Sequence, residues 1–133
     1  KYRLVGSEMC IRDRAIGEII PNLKGKLEGV AMRVPTPNVS LVELVFCTKK
    51  DINIKKINDA FEQSSKNKLK NILEVTHEKL VSIDFNHHPA SAIVDASLTN
   101  VVGSNMGKIS ADILPILLPT TFVKEASTIA EAG

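Results

Sequence analysis

One arginine, Arg33, interrupts the apolar run Val30-Ala31-Met32-Arg33-Val34, and Pro35-Thr36-Pro37-Asn38-Val39-Ser40 follows it. A guanidinium stays protonated at ordinary pH and offers a planar fork of donors that matches a carboxylate or a phosphate with two parallel hydrogen bonds. Unpaired inside a fold, such a charge is strongly destabilising. From its position in a strand two kinds of partner stay open: a carboxylate of the chain, with Asp84 and Asp95 as candidates, or an external anion.

The other chemistry-bearing residues give weaker patterns. Asp84-Phe85-Asn86-His87-His88 with Asp95 holds the residue types of a metal centre. Adjacent histidines point to opposite faces of a strand and meet solvent in a loop, so no metal ligand is assigned. His77 follows Thr76 in an expected turn and reads as a solvated or capping side chain. A nucleophilic Cys47 needs a base and a local field that lowers its thiol pKa, and the sequence shows neither. Within a strand it reads as a small buried apolar residue. No Gly-x-Gly-x-x-Gly occurs, so no cofactor-binding residue is assigned. No catalytic residue is assigned either.

The elements that must position Arg33 follow from periodicity. Ala15, Ile16, Ile19 and Ile20 repeat at helical spacing until Pro21 stops the pattern, and Gly25 and Gly29 bracket a turn. Val30 to Val34 then alternates as a first strand. The prolines at 35 and 37 interrupt it, and Asn38 to Thr48 forms a second, longer strand whose two faces are both largely apolar. Such a strand predicts a sheet covered on both sides. Asn53 can cap a helix with the stripe Ile54, Ile57, Ala60 and Phe61. A polar linker is expected from Ser64 to Lys68, then strands around Ile72 to Val75, Leu80 to Asp84, Ala92 to Asp95 and Met106 to Ser110. Strands outnumber helices without βαβ alternation, which predicts an α+β domain with a mainly antiparallel sheet and helices packed on one face.

Length and composition bound the rest. With 133 residues, 44% of them hydrophobic, the chain can bury one ordinary core. The net charge is +2, and the lysines at 55, 56, 66, 68 and 70 lack interleaved aromatics, so nucleic acid is not an expected partner. The longest apolar run, Ile113-Leu114-Pro115-Ile116-Leu117-Leu118, falls far short of the roughly 20 residues a membrane helix needs, so no membrane partner is expected. Two cysteines outside any metal-ligand spacing fit a reducing cytoplasm.

Three blocks carry a family resemblance. They are Ala15-Ile16-Gly17 through Pro21 with Gly25-Lys26-Leu27-Glu28-Gly29, the arginine block up to Ser40, and Leu80-Val81-Ser82-Ile83-Asp84-Phe85 with Ser91-Ala92-Ile93-Val94-Asp95-Ala96-Ser97. In this order and spacing they resemble the C-terminal catalytic domain of the phosphorylating glyceraldehyde-3-phosphate dehydrogenases, and Asn100 to Ala111 continues the likeness. Residues 14–111 are thus expected to be a partial catalytic domain. Residues 1–13 are expected to be a non-native leader, since Ser7 to Arg14 is similar to translated sequencing-adapter sequence. Residues 112–133 form a tail that departs from the family: Asp112-Ile113-Leu114-Pro115 stands where the family has Trp-Tyr-Asp-Asn-Glu.

The resemblance implies a function for the whole parent protein. An aldehyde is oxidised through a cysteine thiohemiacetal, hydride passes to NAD or NADP, and inorganic phosphate releases the thioester. The family's Ser-Cys-Thr-Thr-Asn nucleophile motif, its histidine base, its Thr-Gly phosphate-binding segment and its nucleotide-binding half belong ahead of Ala15, and the sequence holds none of them. Only Arg33 matches a functional position, as the residue that holds substrate phosphate. The implied partners are a sugar phosphate, inorganic phosphate and further copies of the chain in a homotetramer. The piece alone is expected to be inactive and to bind no nicotinamide nucleotide. Val81 to Pro89 and Ser91 to Asp95 are also similar to the erythrose-4-phosphate dehydrogenase branch, which stays open as an alternative. A non-catalytic binding or assembly module is the other.

Overall fold

The computed structural model describes residues 15–26, 29, 32, 34, 35 and 39–114. The chain divides into two units, Lys1–Thr36 and Pro37–Gly133. In the first unit residues 15–19 are helical, and the Ile20 N–H donates to the Ile16 carbonyl at 2.8 Å. Pro21 has no N–H to continue that pattern, and Pro21–Leu23 closes as a 3-10 turn. Gly25 then takes φ +74°, the left-handed conformation that a residue without Cβ adopts freely. Of the first expected strand, Met32 and Val34 are exposed and belong to no strand. Val30, Ala31 and Arg33 lie outside the described residues.

The second unit holds β1 (Ser40–Cys47), α1 (Ile54–Lys66), β2 (Leu73–Thr76), a 3-10 turn (Ser82–Phe85), β3 (Ala92–Val102) and β4 (Met106–Ile113). The strands form one sheet in the order β1-β4-β3-β2. β1 and β3 both run antiparallel to β4, while β2 runs parallel to β3. The α+β class with a mainly antiparallel sheet is therefore observed, with one parallel pair at its edge. β3 and β4 join through a tight turn in which Gly103 has φ +66°. Between the pairs Asp95–Ser110 and Asn100–Lys108, residues 96–99 of β3 stand against Ile109 alone, so β3 bulges there.

α1 forms where the apolar stripe and cap require it. The Asn53 side chain accepts from the Lys56 N–H at 2.8 Å, satisfying one of the orphan donors of the first turn. Ile57 and Phe61, one turn apart, are both fully buried. The helix runs on through Ser64 to Lys66, where the sequence predicts a linker. In that last turn the Ser65 hydroxyl donates to the Glu62 carbonyl at 2.9 Å, and Lys66 lies 3.3 Å from the Glu62 carboxylate. The loss of apolar residues after Phe61 marks the end of the packed stripe, while polar residues keep the backbone helical.

Strand register sorts the side chains into two faces. Val42, Leu44 and Phe46 of β1, Ile109, Ala111 and Ile113 of β4, Ala92 and Val94 of β3, and Leu73 and Val75 of β2 share one face. The opposite face carries Leu41, Glu43, Val45, Cys47, Met106, Lys108, Ser110, Asp112, Ile93, Asp95, Glu74 and Thr76. Phe85, Ala90 and Leu114 bury Ile93 on this second face, with Val39 packed against them. α1, which lies against β2 and β3, therefore covers the first face. The second face is covered at β3 only: on β1, whose two apolar faces predict a sheet covered on both sides, Leu41 and Val45 are exposed.

Leu80 to Asp84 forms no strand. The Asp84 carboxylate accepts from the Val81 N–H at 2.9 Å while its own N–H donates to the Val81 carbonyl at 2.8 Å. A short acidic side chain that satisfies the backbone locally competes with a ladder, and here the 3-10 turn wins. The connection from β2 to β3 thus crosses the second face as a turn-bearing loop, with His87 in the left-handed region at φ +64°. β3 and β4 outrun their expected ends, reaching Val102 and Ile113, because each is the other's partner along most of its length.

Candidate functional site

Arg33, the residue to which the sequence assigns an anion, lies outside the described residues. The two carboxylates that rival an external anion for it are placed. Asp84 Oδ2 holds the Val81 N–H, and Asp95 Oδ1 accepts from both the Ser97 N–H at 2.8 Å and the Ser97 hydroxyl at 2.6 Å. Both are occupied by donors of their own segment.

The residues of the metal-like pattern are spread apart in the same way. His88 Nδ1 accepts from the Ala90 N–H at 3.2 Å, and its Nε2 lies 3.5 Å from Glu74 Oε2. The first contact requires Nδ1 unprotonated, so the neutral ring carries its proton on Nε2, toward the carboxylate. His87 is exposed. Among the described residues, no group of three or more His, Cys, Asp and Glu side chains is arranged to share a metal ion. His77 is exposed, as a solvated histidine should be, and its Nε2 meets Glu62 Oε1 at 3.1 Å. With Lys66 on the other oxygen, His77 holds the Glu62 carboxyl below its ordinary value.

Cys47 corrects the sequence reading. It is a free, exposed cysteine rather than a buried apolar residue. It ends the edge strand β1 directly opposite Met106, on the face that α1 does not cover. Alternation in a strand with two apolar faces gives no sign of which face remains open.

That second face gathers polar side chains that the sequence reading did not single out. Lys108 Nζ lies 2.6 Å from Glu43 Oε1, across the β1/β4 pair, and the Ser110 hydroxyl reaches the same oxygen at 3.4 Å. Asp112 accepts from the Ser82 hydroxyl at 3.4 Å and sits diagonally from Asp95, two residues along the ladder on the same face. Both acids are largely buried. Burial pushes the Asp112 carboxyl above its ordinary range, the Ser82 hydroxyl opposes that, and the nearby Asp95 charge adds to it. The signal was present in Lys108-Ile109-Ser110-Ala111-Asp112, which alternates strictly, but no residue in it matches a catalytic spacing. As arranged, the face holds acids against hydroxyl and ammonium donors, and this ties the Ser82–Phe85 turn to β4.

Comparison with known proteins supplies the family. Residues 10–112 match the family described as glyceraldehyde 3-phosphate dehydrogenase, C-terminal domain, a range that includes Arg33. Glyceraldehyde-3-phosphate dehydrogenase 2 of Staphylococcus aureus is 48% identical over 98 residues, covering 74% of this chain and 28% of the relative. A chloroplastic glyceraldehyde-3-phosphate dehydrogenase of Arabidopsis thaliana is likewise 48% identical over 98 residues, covering 74% of this chain and 25% of its own length. Glyceraldehyde-3-phosphate dehydrogenase A of Zea mays, also chloroplastic, is 48% identical over 96 residues, or 72% of this chain and 24% of the relative. The chain thus spans about a quarter of the length of the curated relatives it matches. Sheet, helix and matched range agree, and the chain belongs to the glyceraldehyde 3-phosphate dehydrogenase family, within its C-terminal domain.

Proposed function

We propose that the chain is part of a phosphorylating glyceraldehyde-3-phosphate dehydrogenase, in which it supplies one substrate-phosphate contact and a subunit-contacting sheet, and that it is inactive alone. The observation that carries this reading is the match of residues 10–112 to the family's C-terminal domain. Within it Arg33 keeps the role its chemistry suits, a fixed positive fork for a phosphate. The residues that attack the aldehyde and move its proton belong to the rest of the parent.

This reading gives the piece no nicotinamide-nucleotide site of its own. The sequence has no Gly-x-Gly-x-x-Gly, and among the described residues the parallel pair, β2 with β3, is joined through a 3-10 turn rather than a helix whose N-terminus presents N–H groups to a pyrophosphate. The reading therefore assigns NAD or NADP to the other half of the parent. Sheet-mediated association into a homotetramer also belongs to this reading, supported by the apolar side chains exposed on the second face. So does a cytoplasmic location, with which a free thiol at Cys47 agrees.

In this reading residues 14–111 are the catalytic-domain portion, inside the matched range 10–112, and the joins to foreign sequence lie near its two ends. Sequencing the genomic locus across both junctions, then assaying the parent it encodes, tests the proposal. Phosphate-dependent reduction of the nucleotide by glyceraldehyde 3-phosphate is expected. A parent that prefers erythrose 4-phosphate would shift the assignment to that branch. An intact reading frame around this chain with neither activity would overturn the enzyme reading in favour of an assembly module.

A further inference from the structure

No further inference is drawn: the strongest candidate, the apolar column of Leu41, Val45, Met106 and Val102 on the sheet face turned away from α1, carries nothing because nothing in the structure shows what covers it.

Discussion

Gly107 stands directly across the β1/β4 ladder from Phe46, and the ring occupies the space a side chain at 107 would need. A Cβ built there falls 2.6 Å from the ring's Cζ and 3.0 Å from its Cε1. The aromatic ring covers the glycine, a cross-strand pairing that fills the gap left by the missing side chain. Gly107→Ala should push the half-buried ring outward and cost about 1–3 kcal/mol. In a Phe46→Leu background the same alanine should cost much less. Equal losses in the two backgrounds, measured by urea denaturation, would show that the ring is not the obstacle.

The helix cap and the helix core can be separated by magnitude. Asn53→Ala removes the acceptor of the Lys56 N–H and should cost about 1 kcal/mol. Phe61→Ala empties a fully buried site and should cost about 3–5 kcal/mol, a large share of the stability of an ordinary domain. Circular dichroism melts that rank the two in the opposite order would contradict the packing of α1 on the sheet.

Asp112 gives the chain an acid-side dependence. Its folded carboxyl binds a proton more tightly than the ordinary value of 3.8 allows, so its contribution to stability is fully present below that value and is lost as pH rises through the folded one. Asp112→Asn removes the titrating charge while keeping a group that can meet the Ser82 hydroxyl. The variant should gain Tm relative to the parent chain as pH is raised from about 4 to about 7. A difference between the two proteins that stays constant across that range would rule out the linkage.

Arg33 is tested by mass action. If it holds an oxyanion, inorganic phosphate or sulfate stabilises the folded chain in proportion to occupancy, and a concentration of 100 Kd raises stability by about 2.7 kcal/mol. The rise in Tm should vanish in Arg33→Leu. Identical shifts in both proteins would assign the anion to another site.

Leu41 and Val45 are 57% and 60% exposed, and Val102 is 62% exposed on the same face. Exposed apolar side chains set around the Glu43–Lys108 pair favour association. The isolated chain should elute well ahead of a 14.5 kDa monomer at micromolar concentration, and Val45→Lys should shift it back. A monomeric peak for the unmodified chain would count against sheet-mediated assembly.

Much of this fold was legible because its signals are local. Asn53 followed by Ile57 and Phe61 names a cap and a buried stripe within nine residues, and the alternation around Ser40 to Cys47 names a strand, though not that Leu41 and Val45 stay exposed on it. Leu80 to Asp84 misled because its alternation suits a strand, while the deciding hydrogen bond, from the Val81 N–H to the Asp84 carboxylate, is a competition that periodicity does not record. The parallel pairing of β2 with β3 was equally hidden, since it joins segments 19 residues apart at Leu73 and Ala92 and depends on where the intervening turn lies. For the candidate site, family likeness pointed to Arg33. The Glu43–Lys108 pair and the Asp95–Asp112 neighbourhood required the register of three strands and could not be read from one strand at a time.

The bulge at residues 96–99 divides the long β3/β4 ribbon into a distal hairpin around Gly103, flanked by the end of β1 alone, and a proximal stretch held between β1 and β2. Amide exchange should see these as separate neighbourhoods. The Val94 and Ala111 N–H groups should outlast those of Val101 and Val102, because the outer ladder can open without disturbing the inner one.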